Sequence, residues 1–185
     1  MTKISEWFVR KSTGTLALIA TVVFIVFLIV VLPDQAAKAE EYSQGSGSPD
    51  TSFFYTPDRL FELAEQYGEE GRKAYVRARF TFDLIFPLVY GVFLVTTIGW
   101  ILKITTPPGS SWQRFALIPI IGVIFDLLEN ISTSLVMIGY PERRMVAAQL
   151  APIFTLIKWV FVNGSFVILL AAVGYWAFRK LRRVG

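Results

Sequence analysis

Asp83, Asp126, Glu129 and Lys158 stand inside stretches otherwise built of Leu, Ile, Val and Phe. Carrying a charged side chain into hydrocarbon costs roughly 2.5–3.5 kcal/mol on the mildest scale. Such groups persist where they pair, face a wet cavity or act on something. Helical spacing says which of them can meet. Asp126, Glu129, Asn130 and Thr133 follow an i, i+3, i+4, i+7 pattern and share one face; Arg79, Asp83 and Tyr90 share a second, and Thr155, Lys158 and Ser165 a third. With a rise of about 1.5 Å per residue, Asp126 to Asn130 lie near mid-membrane. Lys158 then sits roughly 9 Å and Asp83 roughly 12 Å toward the outer surface.

If the three faces turn inward, Glu129 pairs with Lys158 and Asp83 with Arg79, while Tyr90 and Asn130 supply orienting hydrogen bonds. Three acids against two bases leave one negative charge over, which a proton on Asp126 would neutralise. Pro87 adds to this level of the bundle. It lacks an amide and displaces the carbonyl four residues earlier, that of Asp83.

Four apolar blocks must position these groups: about 15–32, 80–102, 115–140 and 152–178. Each satisfies the roughly 17–25 residues that a helix needs to cross a bilayer, and helix alone satisfies its own backbone there. The chain is 54% hydrophobic and only 17% charged. The expectation is an all-α integral membrane four-helix bundle, residues 1–185 forming one transmembrane domain. With no Cys and no His, disulfides, thiolate chemistry, His-ligated zinc and Ser–His hydrolysis drop out. No cofactor is expected. The net charge of +4 belongs to membrane boundaries rather than one exposed face, so no nucleic-acid partner is expected either.

Lys3, Arg10, Lys11, Lys103, Arg114, Arg179, Lys180, Arg182 and Arg183 face only Glu6, whereas residues 34–74 carry nine acids against four bases. The positive-inside rule places both termini in the cytoplasm and residues 34–74 outside, in a plasma (inner) membrane. Trp7, Trp100, Trp112 and Trp176 fall at the same cytoplasmic boundary, as an aromatic belt would. The first span has a rival reading as a signal peptide ending near Ala37-Lys38-Ala39. Its apolar run exceeds the usual h-region of roughly 7–15 residues, which favours a retained span.

Between spans one and two, residues 43–68 hold a flexible linker and a short amphipathic outer helix. Ser43 to Pro49 is linker-like. Thr56-Pro57-Asp58 then reads as an N-cap with Pro at the first helical position, and Leu60, Phe61, Ala64 and Tyr67 form an apolar face that ends at Gly68. This helix would lie on the membrane surface or cover the bundle mouth. From Glu69 a further helix is expected to run unbroken into the second span. Asn130-Ile131-Ser132 and Asn163-Gly164-Ser165 match the glycosylation sequon but lie within spans.

Leu60-Phe61-Glu62-Leu63 and the run Phe80-Thr81-Phe82-Asp83-Leu84-Ile85-Phe86-Pro87-Leu88-Val89-Tyr90 resemble the emopamil-binding-protein (EXPERA) superfamily, four-span proteins with an acid and then a Pro early in the second span. The resemblance implies a lipid- or sterol-like ligand in an intramembrane pocket, with Asp83 as the matching acid. The chain departs in lacking an acid in the first span and any His for sterol isomerase chemistry. It is also similar to uncharacterised prokaryotic four-span membrane proteins.

Three functional classes remain open. The first is an outward-opening polar pocket for a small amphipathic or cationic ligand, or a proton, with Asp83, Tyr90, Asp126, Glu129, Asn130 and Lys158 as ligand-binding residues. The second is an accessory subunit docked onto other membrane-protein subunits. The third is an intramembrane acid–base enzyme acting on a lipid through Asp126 and Glu129. Membrane lipid is a partner under each. A purely structural polar clamp competes with all three, although interhelical hydrogen bonds in membranes average only about 0.6 kcal/mol.

Overall fold

A computed structural model describes residues 3–182; Arg183, counted among the C-terminal bases, lies outside them. All regular structure among the described residues is helical. Helix α1 (Lys3–Lys11) leads through a Thr13 cap into α2 (Gly14–Val26). The helix then widens into a π-turn at Phe27–Val31 and continues as α3 (Leu32–Ser43). The widening has a local cause. Pro33 cannot donate to the carbonyl of Ile29, so the ladder shifts register just before it and Leu32 donates to Phe27 instead. The chain therefore stays helical over Gly14–Ser43, well past the expected boundary at residue 32.

Helix α4 (Pro57–Gln66) is the expected amphipathic element. The Thr56 side chain accepts from the Arg59 amide at 3.2 Å, and Leu60, Phe61, Ala64 and Tyr67 are buried. It covers the ends of the last two spans, contributing to a cluster with Tyr75, Val136, Met137 and Ala148. Helix α5 (Gly68–Arg79) and α6 (Phe82–Thr105) form the second span. They are separated by a jog at Phe80–Thr81 where an unbroken helix was expected. No Gly or Pro marks it. The Thr81 hydroxyl donates to the Arg77 carbonyl at 2.7 Å, replacing a ladder bond from its own side chain.

A 3-10 segment (Ser111–Leu117) precedes α7 (Ile118–Gly139), whose start is set by Pro119 in the first turn. The last helix, α8 (Met145–Leu181), carries Pro152 inside it rather than at its start. Among the described residues, four helical stretches are long and apolar enough to cross a membrane: Gly14–Ser43, Gly68–Thr105, Ser111–Gly139 and Met145–Leu181. They define a multi-pass, all-helical membrane protein. Close packing of α7 on α8 requires Gly122, where an added Cβ would meet Val162 at 2.9 Å.

The ends of the molecule differ. At the basic end Lys103 donates to the carbonyls of Arg10 and Ser12, and Arg179 donates to that of Thr105, gathering the N-terminal helix, the 103–114 turn and the end of α8. Above them Phe24 stacks on Phe93 at 4.5 Å in a tight apolar cluster with Leu94, Ile98, Leu102 and Val162. The acidic end is capped by α4 and its apolar contacts. Along the second span (α5 and α6), α7 and α8, a polar layer lies between these two apolar layers.

Candidate functional site

Helical phase aims the charged side chains of α6, α7 and α8 at one another. Lys158 Nζ lies 2.5 Å from Glu129 Oε2, the pair expected from spacing, and 3.9 Å from Asp126 Oδ1. Glu129 is fully buried and Lys158 is 5% exposed. Arg79 reaches Asp83 at 2.8 Å, the expected i, i+4 pair, and its guanidinium lies over the buried Tyr75 ring at 4.5 Å. The jog at Phe80–Thr81 falls inside this pair. Tyr90 donates its hydroxyl to Asp126 Oδ2 at 2.9 Å.

Asn130 donates to the main-chain carbonyl of Asp83 at 2.9 Å. That is the acceptor which Pro87 leaves without its ladder partner, so kink and asparagine answer each other across α6 and α7. Thr133 and Ser165, which share the expected faces, bond back to their own helices at Glu129 and Phe161. They shape the site without offering a free group.

Spacing arguments missed Asp50. This residue belongs to the linker between α3 and α4, yet a 3-10 turn at Pro49–Thr51 lowers it between the two buried cations. Its carboxylate is ion-paired with Arg79 and lies 3.8 Å from Lys158. Several contacts hold the loop there. Tyr67 donates to the Gly47 carbonyl at 2.5 Å, and Arg59 donates to that of Ser46 at 3.2 Å. Phe53 packs on the Trp159 ring at 5.5 Å, and the hydroxyls of Tyr55 and Thr155 meet at 3.2 Å. Burial pushes the hydroxyls of Tyr55 and Tyr67 well above the ordinary tyrosine range. No sequence signal could have placed Asp50: Ser48-Pro49-Asp50 announces a turn and nothing about where it points.

The polar layer thus holds four acids (Asp50, Asp83, Asp126, Glu129) and two bases (Arg79, Lys158) within one connected set of contacts. A cavity of about 950 Å³ adjoins it, walled by α3 and α5 and reaching Asp50, Arg79 and Asp83. Toward the basic end the path stops. The buried cluster around Phe93, Leu94 and Ile98 fills the bundle, and no Asp, Glu, Lys or Arg occurs in α6 between Asp83 and Lys103 or in α8 between Lys158 and Arg179. Among the described residues, no three Asp, Glu, His or Cys side chains converge as a metal site. No protein-family model, curated protein or solved structure matches this chain.

Proposed function

We propose that this protein is a multi-pass plasma (inner) membrane protein, with both termini in the cytoplasm and residues 34–74 outside. Its polar layer is a blind, outward-opening binding site for a cation, either a protonated amine on a small amphipathic molecule or a proton. One observation carries the reading: four acids share two bases in one layer, and a cavity reaches that layer at Asp50, Arg79 and Asp83. Two negative charges in excess of the bases, largely withdrawn from water, would cost several kcal/mol each. A bound cation or protons remove that cost. The apolar cluster toward the basic end argues for binding rather than passage. In this reading Asp50 and Asp83 meet the ligand first, Asp126 and Glu129 supply the charge that holds it, and Lys158 keeps Glu129 in place. Tyr90 and Asn130 fix the orientation of α6 against α7. The resemblance to the emopamil-binding-protein superfamily also implies an amphipathic ligand near Asp83.

The test is equilibrium binding of dodecylamine to the protein in phosphatidylcholine nanodiscs. Protons compete with the amine for the carboxylates, so affinity should rise between about pH 5 and about pH 8. Asp83→Asn should weaken it by roughly tenfold, the loss of one charge-assisted contact. Binding that ignores both pH and Asp83→Asn overturns the proposal.

A further inference from the structure

We infer that the cleft between α3 and α5 is a lateral portal that admits the headgroup of an amine-bearing phospholipid from the facing leaflet. The inference rests on the cation-site reading above and names the ligand class and its route. Two contacts bracket the cleft. At one end an added Cβ on Gly71 would stand 2.5 Å from the Tyr42 carbonyl oxygen, so α3 and α5 cross there with nothing between them. At the other end the Phe27 and Phe86 rings stack at 6.4 Å. Between these points the helices part, and the walls are small: Ala36 and Ala39 on one side, Ala74 and Ala78 on the other. The resulting space of about 950 Å³ lies within the size range of small-molecule sites, ample for a headgroup whose chains stay in the bilayer.

The linker forms one wall of the cleft, where Gln44, Ser48, Asp50 and Thr51 line it, and the Tyr67–Gly47 and Arg59–Ser46 bonds hold that wall in place. On the cleft's lipid flank, Leu28, Ile29 and Val30 on one helix and Leu84 and Ile85 on the other are exposed. Acyl chains would lie against them. The lining also carries both signs of charge: Lys38, paired with Asp34 at 2.7 Å, with Glu41, Glu70 and Arg77, and then Asp50 and Asp83 beside Arg79. A zwitterionic headgroup suits a lining of mixed sign, with its phosphate against Arg77 and its ammonium against Asp50 and Asp83. A primary ammonium can donate hydrogen bonds to two carboxylates at once, whereas a quaternary one cannot.

The test is native mass spectrometry of the full chain after exchange into equal mixtures of phosphatidylethanolamine, phosphatidylcholine and phosphatidylglycerol. Phosphatidylethanolamine should be retained over phosphatidylcholine by roughly tenfold, with one molecule per chain. The chain has no cysteine, so Ala39→Cys can be labelled with a bulky maleimide after folding. The label should abolish the preference, while the same label at Val167→Cys, on a lipid-facing position 65% exposed, should leave it intact. No headgroup preference, or a preference that survives labelling at residue 39, overturns the portal. If dodecylamine still binds in a manner dependent on Asp83, the cation site stands and only the portal falls. If neither amine binds, both fall.

Discussion

Lys158 offers the sharpest test of the polar layer. Its ammonium lies 2.5 Å from Glu129, 3.8 Å from Asp50 and 3.9 Å from Asp126. At an effective dielectric of about 20, Coulomb's law gives about 7 kcal/mol for the first contact and about 4 kcal/mol for each of the others, before desolvation is subtracted. Glu129 is therefore the dominant partner. It is also the acid with no solvent exposure at all. Truncating one member of such a pair leaves the other buried and unpaired, a loss of about 3–5 kcal/mol. Lys158→Ala should show that loss in reversible unfolding by dodecyl sulfate in mixed micelles, followed by far-ultraviolet circular dichroism. Lys158→Met combined with Glu129→Gln removes both charges and should recover at least about half of it. Lys73→Ala serves as the control, because its pairs with Glu69 and Glu70 are largely exposed, and it should produce no measurable change. A loss below about 1 kcal/mol in Lys158→Ala, or strict additivity in the double variant, would refute the pairing.

Asn130→Leu should cost about 1–2 kcal/mol by removing the donor to the Asp83 carbonyl. In a Pro87→Ala background the residue 87 amide can reclaim that carbonyl, so the same asparagine substitution should cost less than half as much. A double-mutant cycle in the micelle assay checks this, and equal costs in the two backgrounds would sink it. Folding raises the pKa of Tyr55 and Tyr67, chiefly by burial. The folded state therefore favours the neutral hydroxyls: their contribution is complete below about pH 10 and is lost as pH rises beyond that point. Ultraviolet titration of the native protein should show a tyrosine fraction that ionises only on alkaline unfolding, and that fraction should shrink in Tyr55→Phe.

The legible parts of this molecule were those governed by local periodicity. Charged residues at helical spacing on apolar segments gave the mutual facing of Asp126, Glu129 and Lys158, because phase along a helix is fixed by 3.6 residues per turn. The Thr56 cap and the buried stripe of α4 followed from the same kind of rule. The helix past the apolar block that ends near residue 32 was less legible. Ala37-Lys38-Ala39 offered a rival reading as a cleavage site, yet Ala, Lys and Glu are strong helix formers. A register shift at Phe27–Val31 absorbs Pro33. The jog at Phe80–Thr81 could not be read at all. It carries no breaker residue, and the pairing of Arg79 with Asp50 beside it is tertiary. Asp50 was invisible for the same reason: a linker residue has no phase.

Asp50 also bears on what the polar layer is for. A clamp that merely fixes helix register needs two pairs, and Glu129–Lys158 with Arg79–Asp83 already provides them. Neither remaining acid improves that balance. Asp126 is held in place by the Tyr90 hydroxyl, a neutral donor that orients a carboxylate without compensating its charge. Asp50 is brought down from a linker held by hydrogen bonds at Gly47 and Ser46. Self-repulsion among four carboxylates largely withdrawn from water weakens the fold unless something positive arrives. Under the proposed function, that excess charge would cost stability in the empty state, to be recovered when a cation or proton occupies the layer. A static clamp would do better without either acid, which is the argument for the binding reading.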